Sequence, residues 1–403
     1  MKRFSLTLVL LILWIGVPLF ADDTPQVVIS AGKGGFLLTS PDGDFLLRIR
    51  GYVQADGRFF FGDETPSIST FALRRVRPVF EGTVYKYFDF KVMPDFGEGK
   101  VVLQDAYLDA RFRPFLKVRF GKGKVPFGLE RLQSATDLTL IERSLATNLV
   151  PNRDLGIYLF GDVANQKVSY AAGVFNGIPD GANFDTDQGK GKEFAGRIFV
   201  LPVNGLGLGI AVTDGNSVGN LLTTDLPSYK TAGQQTFFKY STGVFSDGQR
   251  LRYTPQAYYY WKSFGFLTEY VNSQQEVRKD TTTGTFKAKI KNDAYNATVM
   301  YVVTGENATY KDVTPKNNFD MDSGHFGAIE VAGRYSVLDI DNDAFPIFAD
   351  PLASATKAKN WAVGANWYLN RNVKWMVSYD NIDFDGGSLP TEKIVQVRFQ
   401  IAW

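Results

Sequence analysis

Residue types that support most enzyme chemistry are scarce in this chain of 403 residues. Cysteine is absent and His325 is the single histidine, so thiol nucleophiles, Cys-based metal sites and zinc sites with several imidazoles are excluded. The nearest serine, Ser323, lacks the sequence context of a nucleophile turn. The sequence therefore predicts no enzyme, no metal site and no cofactor, and His325 is interpreted as a polar residue of a pore or its rim.

Basic residues offer a second kind of chemistry, the binding of anions. The segment FALRRVRPVFEG places Arg74, Arg75 and Arg77 close together, and FGKGKVPFGLE contributes Lys122 and Lys124. A guanidinium is permanently charged and can hold an oxyanion by two parallel hydrogen bonds. These runs are therefore candidate donor arrays for an oxyanion.

The elements that would position these residues are strands with a clear alternation. From Phe45 to Phe61 the odd positions are apolar or glycine, whereas the even positions carry the charged side chains. Strands of a membrane barrel place every second residue against lipid and the others in the lumen. Turning this strand over would put arginines in hydrocarbon, at a cost of about 2–4 kcal/mol each near the bilayer midplane. The sequence therefore predicts lumen positions for Arg48, Arg50 and Arg58.

The same alternation recurs to the end of the chain, where Val395 and Val397 lie on one face and Arg398 on the other. A soluble β-sandwich would also alternate, but the polar face here carries too many charges for a closed interior. We predict an all-β fold, a transmembrane antiparallel β-barrel of about 16 strands with short connections at one end and longer ones at the other. Two features fit poorly, because 305–324 is long for a periplasmic turn and apolar residues near Phe237 lie in a predicted loop.

The N-terminus has the organisation of a secretory signal peptide, with basic residues, an apolar run and a small residue before two acids. A membrane anchor is the alternative, but the run is at the short limit for a span and no stop-transfer cluster follows. We predict a signal peptide at 1–21, a short periplasmic segment at 22–44 and a barrel domain at 45–403, in the bacterial outer membrane. Removing Lys2 and Arg3 from the 44 basic residues leaves 42 against 42 acidic ones. Any ion preference must therefore come from the placement of charges.

One connection, 128–153, lacks strand alternation and is long for its half of the chain. A barrel of this size encloses a channel too wide to discriminate small ions, so selectivity needs an element folded inside it. We predict that 128–153 is this constriction loop, and an ordinary surface loop is the alternative.

Just before this loop, the strand alternation loses its phase at Gly121, so that Lys122 and Lys124 take the lipid-facing parity. A glycine bulge would return both lysines to the lumen at less cost than burying two ammonium groups in lipid. We predict this bulge. The alternative is that both lysines lie above the membrane, where long basic side chains reach water.

The remaining candidates lie on two other predicted strands. Alternation sends Arg75 and Arg77 into the lumen and leaves Arg74 near the rim. The acidic residues Asp105 and Asp109 face the same lumen. Wall charge alone therefore does not decide which sign of ion is preferred.

Five segments within about 45–180 are specific in combination: FLLRIRGYVQADGRFF, FALRRVRPVFEGTVYKYFDFKVMPDFG, LQDAYLDARF, FGKGKVPFGLERLQSATD and IERSLATNLVPNRD. Together they resemble the phosphate-selective porin O and P family. The resemblance implies a sixteen-stranded homotrimeric outer-membrane channel with a basic lining. Such a channel conducts anions, which in the best-known members are phosphate or polyphosphate.

The resemblance also implies roles for particular positions of this chain. Arg74 and Arg75 resemble the family's basic pair in the second strand. Arg131 resembles the basic residue at the narrowest point, with Ser134 as a hydroxyl donor beside it and Arg143 as the second basic member. These residues are the expected anion-binding group.

This chain departs from the selective members at Gln104, which stands where they place an acidic residue, with Asp105 beside it. The sequence and the resemblance together predict passive diffusion of small anions, phosphate-like solutes among them, through a homotrimer surrounded by outer-membrane lipid and without a nucleic-acid partner. A general, weakly selective diffusion porin is the alternative. A barrel that carries an adhesin or an enzyme is a third possibility.

Overall fold

The computed structural model describes residues 27–32, 34–62, 68–187 and 189–403. The signal peptide predicted at 1–21 lies outside these residues. The described chain is almost entirely β-structure, and none of its helices is long and apolar enough to cross a membrane. Its short helices are α1 (Leu129–Leu132) and three 3-10 turns at Gly97–Gly99, Leu145–Leu149 and Asn342–Ala344.

The strands are numbered in chain order. They are β1 (Val28–Gly32), β2 (Gly35–Thr39), β3 (Leu46–Phe61), β4 (Thr70–Val84), β5 (Phe88–Asp95), β6 (Val102–Arg113), β7 (Leu116–Lys124), β8 (Arg153–Val163), β9 (Val168–Phe175), β10 (Glu193–Val203), β11 (Leu206–Val218), β12 (Ser228–Lys230), β13 (Thr236–Lys239), β14 (Val244–Trp261), β15 (Phe264–Thr281), β16 (Gly284–Val302), β17 (Ala328–Asp339), β18 (Lys357–Tyr368), β19 (Val373–Asp385) and β20 (Glu392–Ala402).

Eighteen of the described strands form one antiparallel sheet. Without β1 and β2, the other sixteen pair in chain order from β3 to β11 and from β14 to β20. The last strand, β20, pairs with β3 from Lys393↔Phe61 to Ala402↔Tyr52. This pairing closes the sheet into a barrel and removes the free edges that an open sheet would expose. The predicted β-barrel of about 16 strands is confirmed.

The two faces of the barrel wall have the opposite character to those of a soluble barrel. Leu73 and Ile210 point outward and are more than half exposed, at 56% and 58%. Gln54 and Arg398 point inward and are fully buried. Apolar side chains on the outside suit lipid, and polar side chains on the inside suit a lumen that admits water and solutes. The alternation predicted from the sequence thus has the predicted facing.

An N-terminal hairpin lies beside the ring. The strands β1 and β2 are antiparallel, and β2 pairs with the start of β3 from Phe36↔Ile49 to Thr39↔Leu46. Because β20 pairs with the later part of β3, the hairpin occupies the edge of β3 that β20 leaves open. This hairpin falls within the segment 22–44.

The connections differ between the two ends of the barrel, and the short ones mark the periplasmic end. The long connections lie at the other end and surround its mouth. The short connections at the periplasmic end are 85–87, 114–115, 164–167, 204–205, 262–263 and 369–372. The long connections at the other end are 125–152, 176–192, 219–243 and 340–356, and the two-residue connection 282–283 at that end is an exception.

The two features that fitted the sequence pattern poorly have distinct explanations. The connection 303–327 lies at the periplasmic end but turns into the barrel, where the carbonyl of Tyr310 accepts a hydrogen bond from Gln133 Nε2 at 2.8 Å. Phe237 lies in β13, which pairs with β12 in a separate two-stranded sheet within 219–243. Its ring is buried, so an apolar strand exists there without being part of the barrel.

Candidate functional site

The connection between β7 and β8, residues 125–152, folds into the barrel and is called the constriction loop below. Barrel side chains on the opposite wall hold its peptide groups. Glu269 accepts hydrogen bonds from the N–H groups of Leu129 at 2.6 Å and Glu130 at 3.1 Å. The inward fold predicted for 128–153 is confirmed. The wall side chains that donate to loop carbonyls are Gln54 to Ala135 (2.9 Å), Lys374 to Thr136 (2.6 Å), Asn366 to Thr139 (2.7 Å), Arg398 to Ile141 (2.6 Å) and Arg334 to Glu142 (2.9 Å).

Three cavities run past the constriction loop along the barrel. The outer cavity, of about 460 Å³, lies toward the long connections, and the inner cavity, of about 630 Å³, lies toward the short ones. The narrow cavity between them has a volume of about 190 Å³. Arg131 and Arg143 line both the narrow and the outer cavity, and Lys124 and Arg153 line both the narrow and the inner cavity. The cavity that shares lining residues with both of the others is therefore also the smallest of the three.

Basic residues dominate the narrow cavity. Among the described residues that line it, eight are basic and two, Asp95 and Glu98, are acidic. The passage is thus most positive where a solute comes closest to its walls. The basic residues are Arg74, Arg75, Arg77, Lys100, Lys124, Arg131, Arg143 and Arg153.

Several of these cations are balanced by carboxylates of the wall or the loop. Their ion pairs are Arg77 with Asp95 (2.7 Å), Arg153 with Asp105 (2.8 Å), Arg74 with Glu142 (2.6 Å) and Arg75 with Glu142 (3.7 Å).

Lys124, Arg131 and Arg143 differ from these, because within the described part of the chain none of them pairs with a carboxylate. Instead they donate to carbonyl groups of the constriction loop. Lys124 Nζ and Arg143 Nη2 both donate to the carbonyl of Gln133 at 2.8 Å, and Arg131 Nη2 donates to that of Thr147 at 2.8 Å. Backbone carbonyls fix the positions of these cations without cancelling their charge.

Burial and the crowding of like charges both perturb the pKa of Arg131. Burial, together with the neighbouring Arg143 and Arg153, lowers the pKa of Arg131 to about 9. The guanidinium still carries its charge at neutral pH. An anion placed among these cations would relieve their repulsion, because an opposite charge favours the charged form of each group.

The profile of the family described as "Phosphate-selective porin O and P" matches residues 47–403. The chain belongs to this family. It is 26% identical to Porin O of Pseudomonas aeruginosa over an alignment of 407 residues. The alignment covers 89% of this chain and 87% of Porin O. Two solved structures share the fold, each over 89% of this chain. An anion-selective porin from Comamonas acidovorans matches with a TM-score of 0.55 and 12% identity over 100% of its own chain. The trimer form of Vibrio cholerae OmpT matches with a TM-score of 0.57 and 10% identity over 99% of its own chain. This porin is a channel of the bacterial outer membrane.

The acidic residues predicted to line the lumen of the porin are already paired with cations. Asp105 binds both Arg153 and Lys91 at 2.8 Å. Asp109 accepts two hydrogen bonds from Arg119, at 2.6 and 2.7 Å. Because these carboxylates are neutralised locally, they oppose the free cations of the narrow cavity less than the sequence suggested.

The expectation that Arg74 lies near the rim is wrong. The pairing of β4 with β3 shifts between Gln54↔Arg75 and Ala55↔Leu73, which leaves Arg74 as an extra residue in a β-bulge. A bulge interrupts strict alternation, so two consecutive arginines both line the narrow cavity. The adjacent Arg77 follows the prediction and lines the same cavity.

The predicted bulge at Gly121 is also wrong. The pairing of β7 with both neighbouring strands continues without a shift through Gly121, although its φ is +129°. Lys124 still lines the narrow cavity, as predicted. Lys122 is buried against Asp185 of the connection 176–192 and is absent from the lining of all three cavities. Lys122 avoids lipid because this connection supplies a carboxylate, so no bulge is needed.

The other predicted pore residues lie at different places along the lumen. Gln104 lines the narrow cavity and donates to Asp95 at 3.3 Å. Ser134 lines the inner cavity instead, where its hydroxyl lies 2.8 Å from that of Thr136. The barrel-wall arginines face the lumen with acidic partners. Their ion pairs are Arg48 with Glu81 (3.7 Å), Arg50 with Glu81 (2.9 Å) and Arg58 with Glu98 (3.6 Å).

Among the lining residues that the sequence did not predict are Lys100, Glu142, Arg153 and Lys311. Lys100 and Arg153 stand at strand boundaries, where alternation no longer indicates facing. The unusual length of 303–327 was the available signal for Lys311, which reaches the inner cavity from that connection. Within the described ranges, no group of three or more acidic or histidine side chains is arranged to hold a metal ion.

Proposed function

We propose that this porin is a passive channel for small anions, with phosphate-like oxyanions among its solutes. The observation that carries the proposal is the group Lys124, Arg131 and Arg143, three basic residues that line the narrow cavity and have no carboxylate partner among the residues that the structure describes. Diffusion down a gradient requires no catalytic group, so we also propose that the barrel has no enzymatic role.

The position of these cations matters more than the total charge of the chain. A unit charge about 4 Å from a passing ion is worth about 4 kcal/mol at an effective dielectric constant near 20, against about 1 kcal/mol in bulk water. Elsewhere along the passage most charges are paired, as in Arg119 with Asp109 at 2.6 Å. The free cations therefore act where the solute is nearest and water is scarcest.

The donor geometry suits an oxyanion. Arg131 and Arg143 each spend part of their guanidinium on loop carbonyls, which holds the remaining N–H groups in fixed positions. Donors that are already positioned lose little entropy when they bind a tetrahedral oxyanion. The family is described as phosphate-selective and the Comamonas acidovorans porin as anion-selective, which supports the same solute class for this chain.

We propose further that the channel is a homotrimer, as supported by the trimer form of the related fold in Vibrio cholerae OmpT. Residues 1–21 are proposed to be a cleaved signal peptide, with 22–44 on the periplasmic side. Crosslinking of the purified porin, with mass measurement of the mature chain, tests both assignments. A monomer, or a chain that retains 1–21, would contradict them.

The function is tested with the purified wild-type porin in planar lipid bilayers. In a KCl gradient, we expect the reversal potential to be shifted toward the equilibrium potential of chloride. Added phosphate should reduce the chloride current. A reversal potential near zero with no effect of phosphate would instead support a general, weakly selective diffusion porin. An absence of conductance would contradict both functions and leave an adhesin or an enzyme support as the remaining candidates.

A further inference from the structure

Glu142, on the constriction loop, lies where the outer cavity meets the arginines of the barrel wall. Arg74 donates to its two carboxylate oxygens, from Nε at 2.6 Å and from Nη2 at 3.2 Å. Arg75 Nη2 lies at 3.7 Å and Arg398 Nη2 at 3.3 Å. The two-pronged contact with Arg74 is the geometry with which an arginine holds any oxyanion. Glu142 therefore occupies donors that a permeating anion could use.

The arginines around Glu142 depend on it to different degrees. Arg398 is also held by Asp56, through two hydrogen bonds of 2.7 Å. For Arg75, Glu142 is the only carboxylate partner among the described residues, and its other contact is the neutral side-chain oxygen of Gln54 at 2.7 Å. Loss of the negative charge at Glu142 would thus leave Arg75 as an additional free cation of the narrow cavity.

The arginines around Glu142 favour the ionised form of its carboxyl group. Burial alone raises the pKa of Glu142, but Arg74, Arg75 and Arg398 outweigh this effect and hold the pKa well below its usual value. Three arginines thus surround the Glu142 carboxylate where a solute enters from the outer cavity.

We propose that Glu142 is an internal anion that competes with the permeating oxyanion for Arg74 and Arg75, and so sets how tightly the channel holds its solute. This inference rests on the proposed anion-channel function. Conduction requires a site that attracts the ion and still releases it. An entering oxyanion gains the donors of the two arginines only as Glu142 gives them up. The binding free energy of the oxyanion is therefore the difference between the contacts that the arginines make with it and those that they make with Glu142. Because these contacts are similar, binding remains weak enough for passage.

The test compares phosphate block of the chloride current in the wild-type porin and in three substituted porins. Glu142→Gln keeps the shape of the side chain and removes its charge. We expect the phosphate concentration for half-block to fall at least about tenfold, which corresponds to about 1.4 kcal/mol of tighter binding. Glu142→Asp keeps the charge and should block like the wild type. Glu81→Gln is the matched control, because it makes the same change in a carboxylate that binds Arg50 at 2.9 Å and does not line the outer or narrow cavity. It should leave the block unchanged.

A purely structural role for Glu142 predicts the opposite result. If the carboxylate only anchored the loop, Glu142→Gln would loosen it, raise the conductance and weaken the block. That result, or an unchanged block, would overturn the inference. The double substitution Glu142→Gln with Arg75→Gln removes one charge of each sign and should restore a block close to that of the wild type. It also decides the matter if the single variant fails to assemble. A wild-type porin without phosphate block would contradict the proposed function itself, so the two failures are distinguishable.

Discussion

Replacing Arg131 and Arg143 together by glutamate would remove two of the four basic residues of the narrow cavity that pair with no carboxylate among the described residues, the others being Lys100 and Lys124. Both lysines would remain. The charge at Arg131 and Arg143 would change from two positive to two negative. The lining of the narrow cavity would change from eight basic and two acidic side chains to six basic and four acidic ones, which should strongly reduce the positive potential that a passing ion experiences.

The magnitude follows from the distances within the passage. Each cation is worth about 4 kcal/mol to an anion about 4 Å away when the effective dielectric constant is near 20. Salt weakens this attraction, with a screening length of about 10 Å at 0.1 M. If about a third of it survives, each arginine contributes about 1.4 kcal/mol, a factor of ten in binding. For the double variant we expect the phosphate concentration for half-block to rise at least about a hundredfold.

The assay is the reversal potential of single channels in a KCl gradient, with and without phosphate. The double variant should lose its anion preference and shift toward a preference for cations. A porin with Arg278→Glu and Lys287→Glu provides the control, because it has the same change in net charge at two side chains, 35% and 60% exposed, that lie outside the lining of the three cavities. The control should behave like the wild type. If the double variant also keeps the wild-type reversal potential, the reasoning is refuted and Arg75 with Arg77 becomes the source of selectivity.

Three more outcomes follow from the geometry. Deletion of 128–153 should raise the single-channel conductance and reduce ion selectivity, and unchanged values would place the constriction elsewhere. Lys124→Gln should weaken the anion preference measured as a reversal potential, whereas Lys122→Gln should leave it unchanged; equal shifts would contradict their different positions. Tyr310→Phe removes the hydroxyl that donates to the carbonyl of Leu129 at 2.5 Å. This substitution should destabilise the loop by about 1–3 kcal/mol, which should be visible as added noise in the single-channel current. A current as quiet as that of the wild type would show that this contact does not hold the loop.

Most of the barrel could be predicted from the sequence because a single energetic rule decides the facing of each strand. An arginine on the lipid side costs about 2–4 kcal/mol near the midplane, so Arg48, Arg50 and Arg398 indicate the inner face by themselves. The inward loop could be predicted for a related reason, since its sequence neither alternates nor suits a short connection.

The positions and ion pairs of several charged side chains could not be predicted, because they depend on contacts between residues that are distant in the sequence. The inward position of Arg74 comes from a shift in pairing with β3, which the alternation of one strand does not reveal. Lys122 is neutralised by Asp185, 63 residues later in the chain. Glu142 meets Arg74 across 68 residues. A pattern read along the chain shows which residues carry charge, but only the closed barrel shows which charges cancel.

The attachment of the constriction loop has a consequence for which loop side chains can change. The side chains of the barrel wall form hydrogen bonds mainly with peptide groups of the loop. Glu269 accepts from the N–H of Leu129, and Arg398 donates to the carbonyl of Ile141. Peptide groups are the same whatever side chain a residue carries. Mutations that change the loop side chains facing the passage therefore leave these attachments intact. The same loop backbone can therefore present different side chains to the passage while the barrel holds its peptide groups in place.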